Sequence, residues 1–255
     1  MIDSNLISIM NKYFAYSTDG IQFFGNANMR YANLEEYLEN RTNFERPDAY
    51  AKVGNSVCIL EHFEFDSTKS TSKGSKSKIA LNQIETAFKN VKPTEDGTVF
   101  HDHSFNTPHA SKNYIANALR NLENHYCKID SYIENLNKEG ITHSSCDIEV
   151  GFFIEDTTFL GNVFHDSKRQ LTVPIVLAHC KQFLDIFETY SKLDFCLCAS
   201  NYGSNYFLWF INRESIQEYR KIEIDIENVE IIDFQPKSIG FKVIVQPNQI
   251  DDSHK

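Results

Sequence analysis

Two acids lie a short hairpin apart in this chain. Asp48 follows Pro47, and Glu61 sits inside the run Val57-Cys58-Ile59-Leu60-Glu61-His62-Phe63-Glu64-Phe65-Asp66. A carboxylate in an apolar strand is costly to bury unless a cation or a hydrogen-bond donor meets it. Two carboxylates on paired strands can hold a hard divalent cation, so Asp48 and Glu61 are the first candidate metal ligands. Alternation along a strand over 57–65 places Ile59, Glu61, Phe63 and Phe65 on one face and Leu60, His62, Glu64 and Asp66 on the other. Glu64 and Asp66 reach the Asp48–Glu61 side only if the strand bulges. His62 reads as a structural or surface residue. The bland reading of Glu61 itself is a salt bridge or a hydrogen bond to a helix end.

Other residues offer weaker chemistry. His101-Asp102-His103, with His109, contains an H-x-H pair that can ligate a transition metal, with Asp102 in support. The alternative is a polar loop. Lys69, Lys73, Lys76 and Lys78 form the one basic cluster, able to meet phosphates or simply to stay solvated. Glu155-Asp156 reads as a turn closing a strand. Neither a G-x-x-x-x-G-K-[ST] loop nor a G-x-S-x-G elbow is present. The six cysteines contain no C-x-x-C pair. Cys196 and Cys198 share one face of an apolar run and read as buried free thiols, which suits a reducing compartment.

The elements that must position these groups follow from pattern. A short strand is predicted at 21–24, and a short helix from an Asn33 cap to Asn40, with Glu35 and Glu36 in its first turn. Strands are predicted at 45–53 and 57–65 around a Gly54-Asn55 turn. Residues 67–78, with no apolar side chain, read as a loop, followed by a helix over 79–91 and a polar stretch over 92–109. Tyr114, Ala118, Leu122, Ile129, Tyr132 and Leu136 belong to a stripe that predicts one helix over 111–138, stopped by Gly140. A buried strand is expected over 148–154, and a helix opened by Pro174 to about Ser191. Strands at 195–199 and 206–211, a short helix at 213–220, and strands at 223–234 and 239–246 complete the chain. This order implies a single α/β domain over 1–255, a central mixed sheet flanked by helices.

Composition narrows the function class. The net charge of −10 argues against a generic basic coat for nucleic acid, so contact with DNA or RNA would need a local patch. Twenty Phe and twelve Tyr supply a core of rings. No apolar run approaches the ~20 residues needed to span a bilayer, and the N-terminus lacks a basic leader, so a cytoplasmic location is expected.

At Pro47-Asp48 and Glu61 the chain resembles the P-D…(D/E)-x-K nuclease superfamily, the restriction-endonuclease-like fold. In that family a helix precedes a hairpin whose first strand carries Pro-Asp and whose second carries an acid, one residue and a lysine. The resemblance covers residues 30–160, with 161–255 completing or extending the sheet. It implies Mg2+- or Mn2+-dependent hydrolysis of phosphodiester bonds in nucleic acid, with Asp48 and Glu61 on the metal and a lysine orienting the attacking water. Here Phe63 occupies the lysine position. Lys52, which shares the strand face of Asp48, is the geometric substitute, and the loop lysines Lys73, Lys76 and Lys78 are further candidates for phosphate contact. A catalytically inactive, nuclease-like binding or regulatory module is the alternative. A His-based metal enzyme using His101 and His103 is a third reading.

Overall fold

The computed structural model describes residues 6–23, 34–66, 86, 98–99, 111–157, 163–166, 171–174, 176–202, 205–226, 231–232 and 243–244. Within them a mixed sheet of seven strands carries helices on both faces. In chain order the strands of this sheet are β1 (Ser17–Phe23), β2 (Arg41–Asn43), β3 (Ala49–Val53), β4 (Ser56–Phe65), β6 (Asp147–Asp156), β9 (Phe195–Tyr202) and β10 (Asn205–Asn212). Their spatial order is β1-β10-β9-β6-β4-β3-β2. The pair Thr98–Val99 (β5) with Val243–Ile244 (β12), and the set Val163–Asp166 (β7), Leu171–Pro174 (β8) and Ile231–Ile232 (β11), form separate small sheets.

The three central strands are parallel. β4 pairs with β6 from Ser56↔Asp147 to Phe65↔Asp156, and β6 pairs with β9 from Gly151↔Phe195 to Asp156↔Ser200. β3 and β4 form the predicted hairpin, with Val53↔Ser56 closing around Gly54. Gly54 takes φ 59°, a conformation that Gly reaches without a Cβ penalty.

Alternation sorts the side chains into two layers. On one face Val57, Ile59, Phe63 and Phe65 of β4 pack with Phe152, Ile154, Cys196 and Cys198. They are covered by α3 (Ser111–Tyr126), α4 (Ile129–Lys138), α5 (Lys181–Thr189) and α6 (Ile216–Arg220). On the other face Cys58, Leu60, Phe153, Phe195 and Phe210 pack beneath α1 (Leu6–Tyr16) and α2 (Leu34–Glu39). Nothing in the sequence pattern singled out α1. Its Leu6, Met10 and Tyr13, at i, i+4 and i+7, form the stripe buried on that second face.

Three expectations about element bounds are corrected. The helix over 111–138 is two helices. At Lys128 the N–H bonds His125 O at 3.0 Å, one residue short of the α-helical partner, and the chain turns before Ile129. The helix expected from Pro174 begins only at Lys181. Pro174 instead ends the edge strand β8, and a 3-10 turn over Leu177–His179 leads into the Cys180↔Ile224 bridge before the helix begins. The strand expected over 45–53 starts at Ala49, because 45–48 form a bend closed by the Phe44 N–H to Asp48 O bond at 2.9 Å.

Other expectations hold. Gly140, at φ 69°, stops α4: its N–H bonds Asn137 O at 3.0 Å and Ile141 N–H bonds Leu136 O at 2.9 Å, the Schellman arrangement. Cys58, Cys180, Cys196 and Cys198 are buried free thiols. Among the described residues no helix is long and apolar enough to cross a membrane. Of the expected helix over 79–91 only Thr86 is described, and it is helical. Of the expected strands over 223–234 and 239–246, Ile231–Ile232 and Val243–Ile244 are strand, 223–226 carry only the isolated Ile224 bridge in place of the expected strand, and the remaining positions lie outside the described residues.

Candidate functional site: acids on both faces of the central strand

The β3–β4 register ends at Ala49↔Leu60, so Asp48 arrives beside Glu61 as the ladder stops. Two main-chain bonds lock the pair. The N–H of His62 donates to Asp48 Oδ2 at 2.8 Å, and the N–H of Asp48 donates to Glu61 Oε2 at 3.2 Å. The sequence pairing of these two acids is therefore real in space.

Glu61 points into the α3/α4 layer and is only 7% exposed. Its Oε1 accepts the Tyr132 hydroxyl at 2.6 Å and lies 2.8 Å from His125 Nδ1. These two side chains come from either side of the α3–α4 break, with Tyr132 Oη 3.5 Å from His125 Nδ1. In one unbroken helix, residues seven apart would be separated by about 10.5 Å along the axis. The break at Lys128 is what lets both converge on one oxygen. Phe63, two residues after Glu61, stacks on the His125 ring with centroids 4.8 Å apart and planes at 19°.

Burial, then the neighbouring Glu61 carboxylate, hold the Asp48 carboxyl above its ordinary value, against the opposing pull of the His62 N–H and of the two imidazoles. Burial, then the Glu61 acceptor, push the Tyr132 phenol upward, so it stays a donor. Because the folded state holds the Asp48 proton more tightly than the unfolded chain, this group opposes folding at pH values above its folded pKa. That opposition is relieved as pH falls toward the ordinary Asp value of about 3.9. Asp48→Asn is therefore expected to raise the neutral-pH melting temperature, since an amide oxygen still accepts the His62 N–H. It should also flatten the rise in stability on mild acidification. A lower melting temperature for Asp48→Asn at pH 7 would contradict this account.

Lys52 does not stand at the acid pair. It is opposite Val57, four residues along β4 from Glu61, a distance of about 13 Å. Its Nζ donates to Ile141 O at 3.4 Å. Among the described residues no lysine or arginine bonds either carboxylate. The loop lysines Lys73, Lys76 and Lys78, and the His101/His103 pair, lie outside the described residues.

The opposite face of β4 carries a second cluster. His62 Nε2 is 3.2 Å from Glu155 Oε2 on β6, and Tyr13 of α1 donates to Glu155 Oε1 at 2.9 Å. Glu64 completes a trio with His62 and Glu155 in which one potential ligand atom from each lies within 4.8 Å of the others. This revises two expectations. Glu155 is more than the end of a strand, and His62 and Glu64 need no bulge to meet a third ligand, because that ligand comes from β6.

The residues missed by sequence reasoning are Tyr13, His125 and Tyr132. His125 and Tyr132 lay within the predicted helix, with Tyr132 on its apolar stripe. No pattern separated a ring that packs from one whose hydroxyl reaches a buried acid. Compared with protein-family models, with curated proteins and with solved structures, the chain matches none.

Proposed function

We propose that this protein is a metal-dependent phosphodiesterase of restriction-endonuclease-like architecture that acts on nucleic acid, with Asp48 and Glu61 as ligands of Mg2+ or Mn2+. The observation that carries the reading is the meeting of these two acids at the end of the β3–β4 ladder, with no lysine or arginine among the described residues hydrogen-bonded to either carboxylate. Like charges brought together away from water raise each other's cost, and a divalent cation removes it. The donor set fits a hard cation: Asp48 Oδ1 carries no hydrogen bond among the described residues, and Glu61 Oε2 accepts only the Asp48 N–H. When bound, such a cation polarises a phosphoryl oxygen and lowers the pKa of a coordinated water.

The chain's own residues prepare that site. Tyr132 and His125 fix the Glu61 carboxylate, and the His62 N–H fixes that of Asp48. His125 stands in for the missing family lysine as the imidazole 2.8 Å from Glu61 Oε1, and Phe63 holds its ring flat from the lysine position. Phosphate contact by Lys73, Lys76 and Lys78 belongs to the same reading.

The test is cleavage of single- and double-stranded DNA and RNA in Mg2+ or Mn2+. Asp48→Asn should lower the rate about 100-fold or more, the loss that accompanies several kcal/mol of metal-derived stabilisation. Equal cleavage by wild type and variant rules out this site as the catalyst.

A second reading, a non-catalytic nuclease-like binding module, rests on a specific observation. Both oxygens of Glu61 already accept hydrogen bonds from the protein. Under that reading calorimetry finds no divalent-cation binding that depends on Asp48.

A further inference from the structure

We infer that His62, Glu64 and Glu155 form a separate binding site for a first-row divalent transition-metal ion, of the Zn2+ or Mn2+ class, at the carboxyl ends of β4 and β6. The site lies on the sheet face opposite Glu61, since His62 and Glu64 alternate with Glu61 along β4. It therefore stands or falls independently of the Asp48–Glu61 reading.

Three features argue for a ligand set in place of a chance cluster of acids. The donors are one imidazole and two carboxylates, a nitrogen-containing set that favours a transition metal over Mg2+ or Ca2+. Their spacing is close to what such an ion needs. Tetrahedral bonds of 2.0–2.2 Å imply donor separations of about 3.4 Å. His62 Nε2 and Glu155 Oε2 are already 3.2 Å apart. Glu64 is exposed and can swing the remaining distance at little cost.

The third feature is register. Glu64 sits directly opposite Glu155 in the parallel β4–β6 ladder. Like charges facing each other across strands are destabilising, and a bound cation turns that repulsion into attraction. Tyr13 supplies the outer support expected of a metal-bound carboxylate: its hydroxyl fixes Glu155 Oε1 and leaves Oε2 turned to His62. Three protein donors, one of them on the surface, leave a further position for water or a small anionic ligand.

The experiment titrates Co2+, as a spectroscopic substitute for Zn2+, into the full chain and into Asp48→Asn, Glu64→Gln, Glu155→Gln and Tyr13→Phe proteins. Visible absorption and calorimetry are the two readouts. The expected result is a Co2+ site with d–d bands and no thiolate charge-transfer band that persists in Asp48→Asn, where binding at the Asp48–Glu61 pair is removed. Glu64→Gln and Glu155→Gln should weaken it at least about 10-fold, and Tyr13→Phe by about 10-fold. Glu64 is exposed, so its variant folds and keeps the test decisive. Absence of Co2+ binding, binding unaffected by Glu64→Gln, loss in Asp48→Asn alone, or a thiolate band each overturns the inference.

Discussion

Glu61→Ala is expected to destabilise the protein by about 3 kcal/mol, lowering the melting temperature by roughly 6–12 °C for a chain of this size. The carboxylate is the shared acceptor of three donors: the Tyr132 hydroxyl, the Asp48 N–H and His125 Nδ1. Removing it strands these groups where water has little access, and each unsatisfied donor costs about 1–3 kcal/mol before relaxation. The phenol cannot adapt by ionising, since burial, the largest cause of its raised pKa, remains when Glu61 is gone. Glu61→Gln keeps one acceptor oxygen but turns an NH2 toward a donor, so an intermediate loss is expected. Urea unfolding of both variants measures the difference. A loss below about 1 kcal/mol for Glu61→Ala would mean that the network does not hold α4 against the sheet.

The contrast with Asp48 separates structure from function. Asp48 is half-buried, its pKa is raised, and its exchange for Asn is expected to stabilise. If Asp48 costs stability while Glu61 anchors the fold, the two residues are separable by experiment. Measured together, a stabilised but inactive Asp48→Asn and a destabilised Glu61→Ala support the proposed role. An Asp48→Asn protein that is both stabilised and unchanged in metal binding leaves Glu61 as a structural pin alone.

The second large effect lies one strand away. Gly151→Val is expected to cost about 3 kcal/mol, at the upper end of overpacking. A Cβ built on Gly151 would lie 2.0 Å from Phe195 Cζ and 2.3 Å from its Cε2. Phe195 has no exposed surface and packs against Phe210 with ring centroids 5.8 Å apart, so the ring has no free direction in which to retreat. Gly151 pairs with Leu60 on one side and Phe195 on the other, in the middle of the parallel strands. The double variant Gly151→Val with Phe195→Leu should recover part of the loss, a non-additivity read by denaturant unfolding. Additive or worse behaviour would mean that the ring is not the obstacle.

The sequence determined the hairpin, its turn at Gly54-Asn55, the alternation of β4 and the α/β class, because these depend on local period and turn chemistry. Asp48 and Glu61 were found as a pair for the same reason: a hairpin's register follows from its loop. The partners of Glu61 were not legible. They depend on a helix break at Lys128 that no Gly or Pro marks, and on α4 folding back more than sixty residues later in the chain. Glu155 joins His62 and Glu64 only because β6 pairs in parallel with β4, and a parallel register is set by the crossover between the strands, with no turn to encode it. The position of Lys52 was misjudged for a related reason. Sharing a strand face says nothing of distance along it. Residue type and spacing named the acids. The tertiary structure decided which donors hold them, and that they form two clusters on opposite faces of one strand.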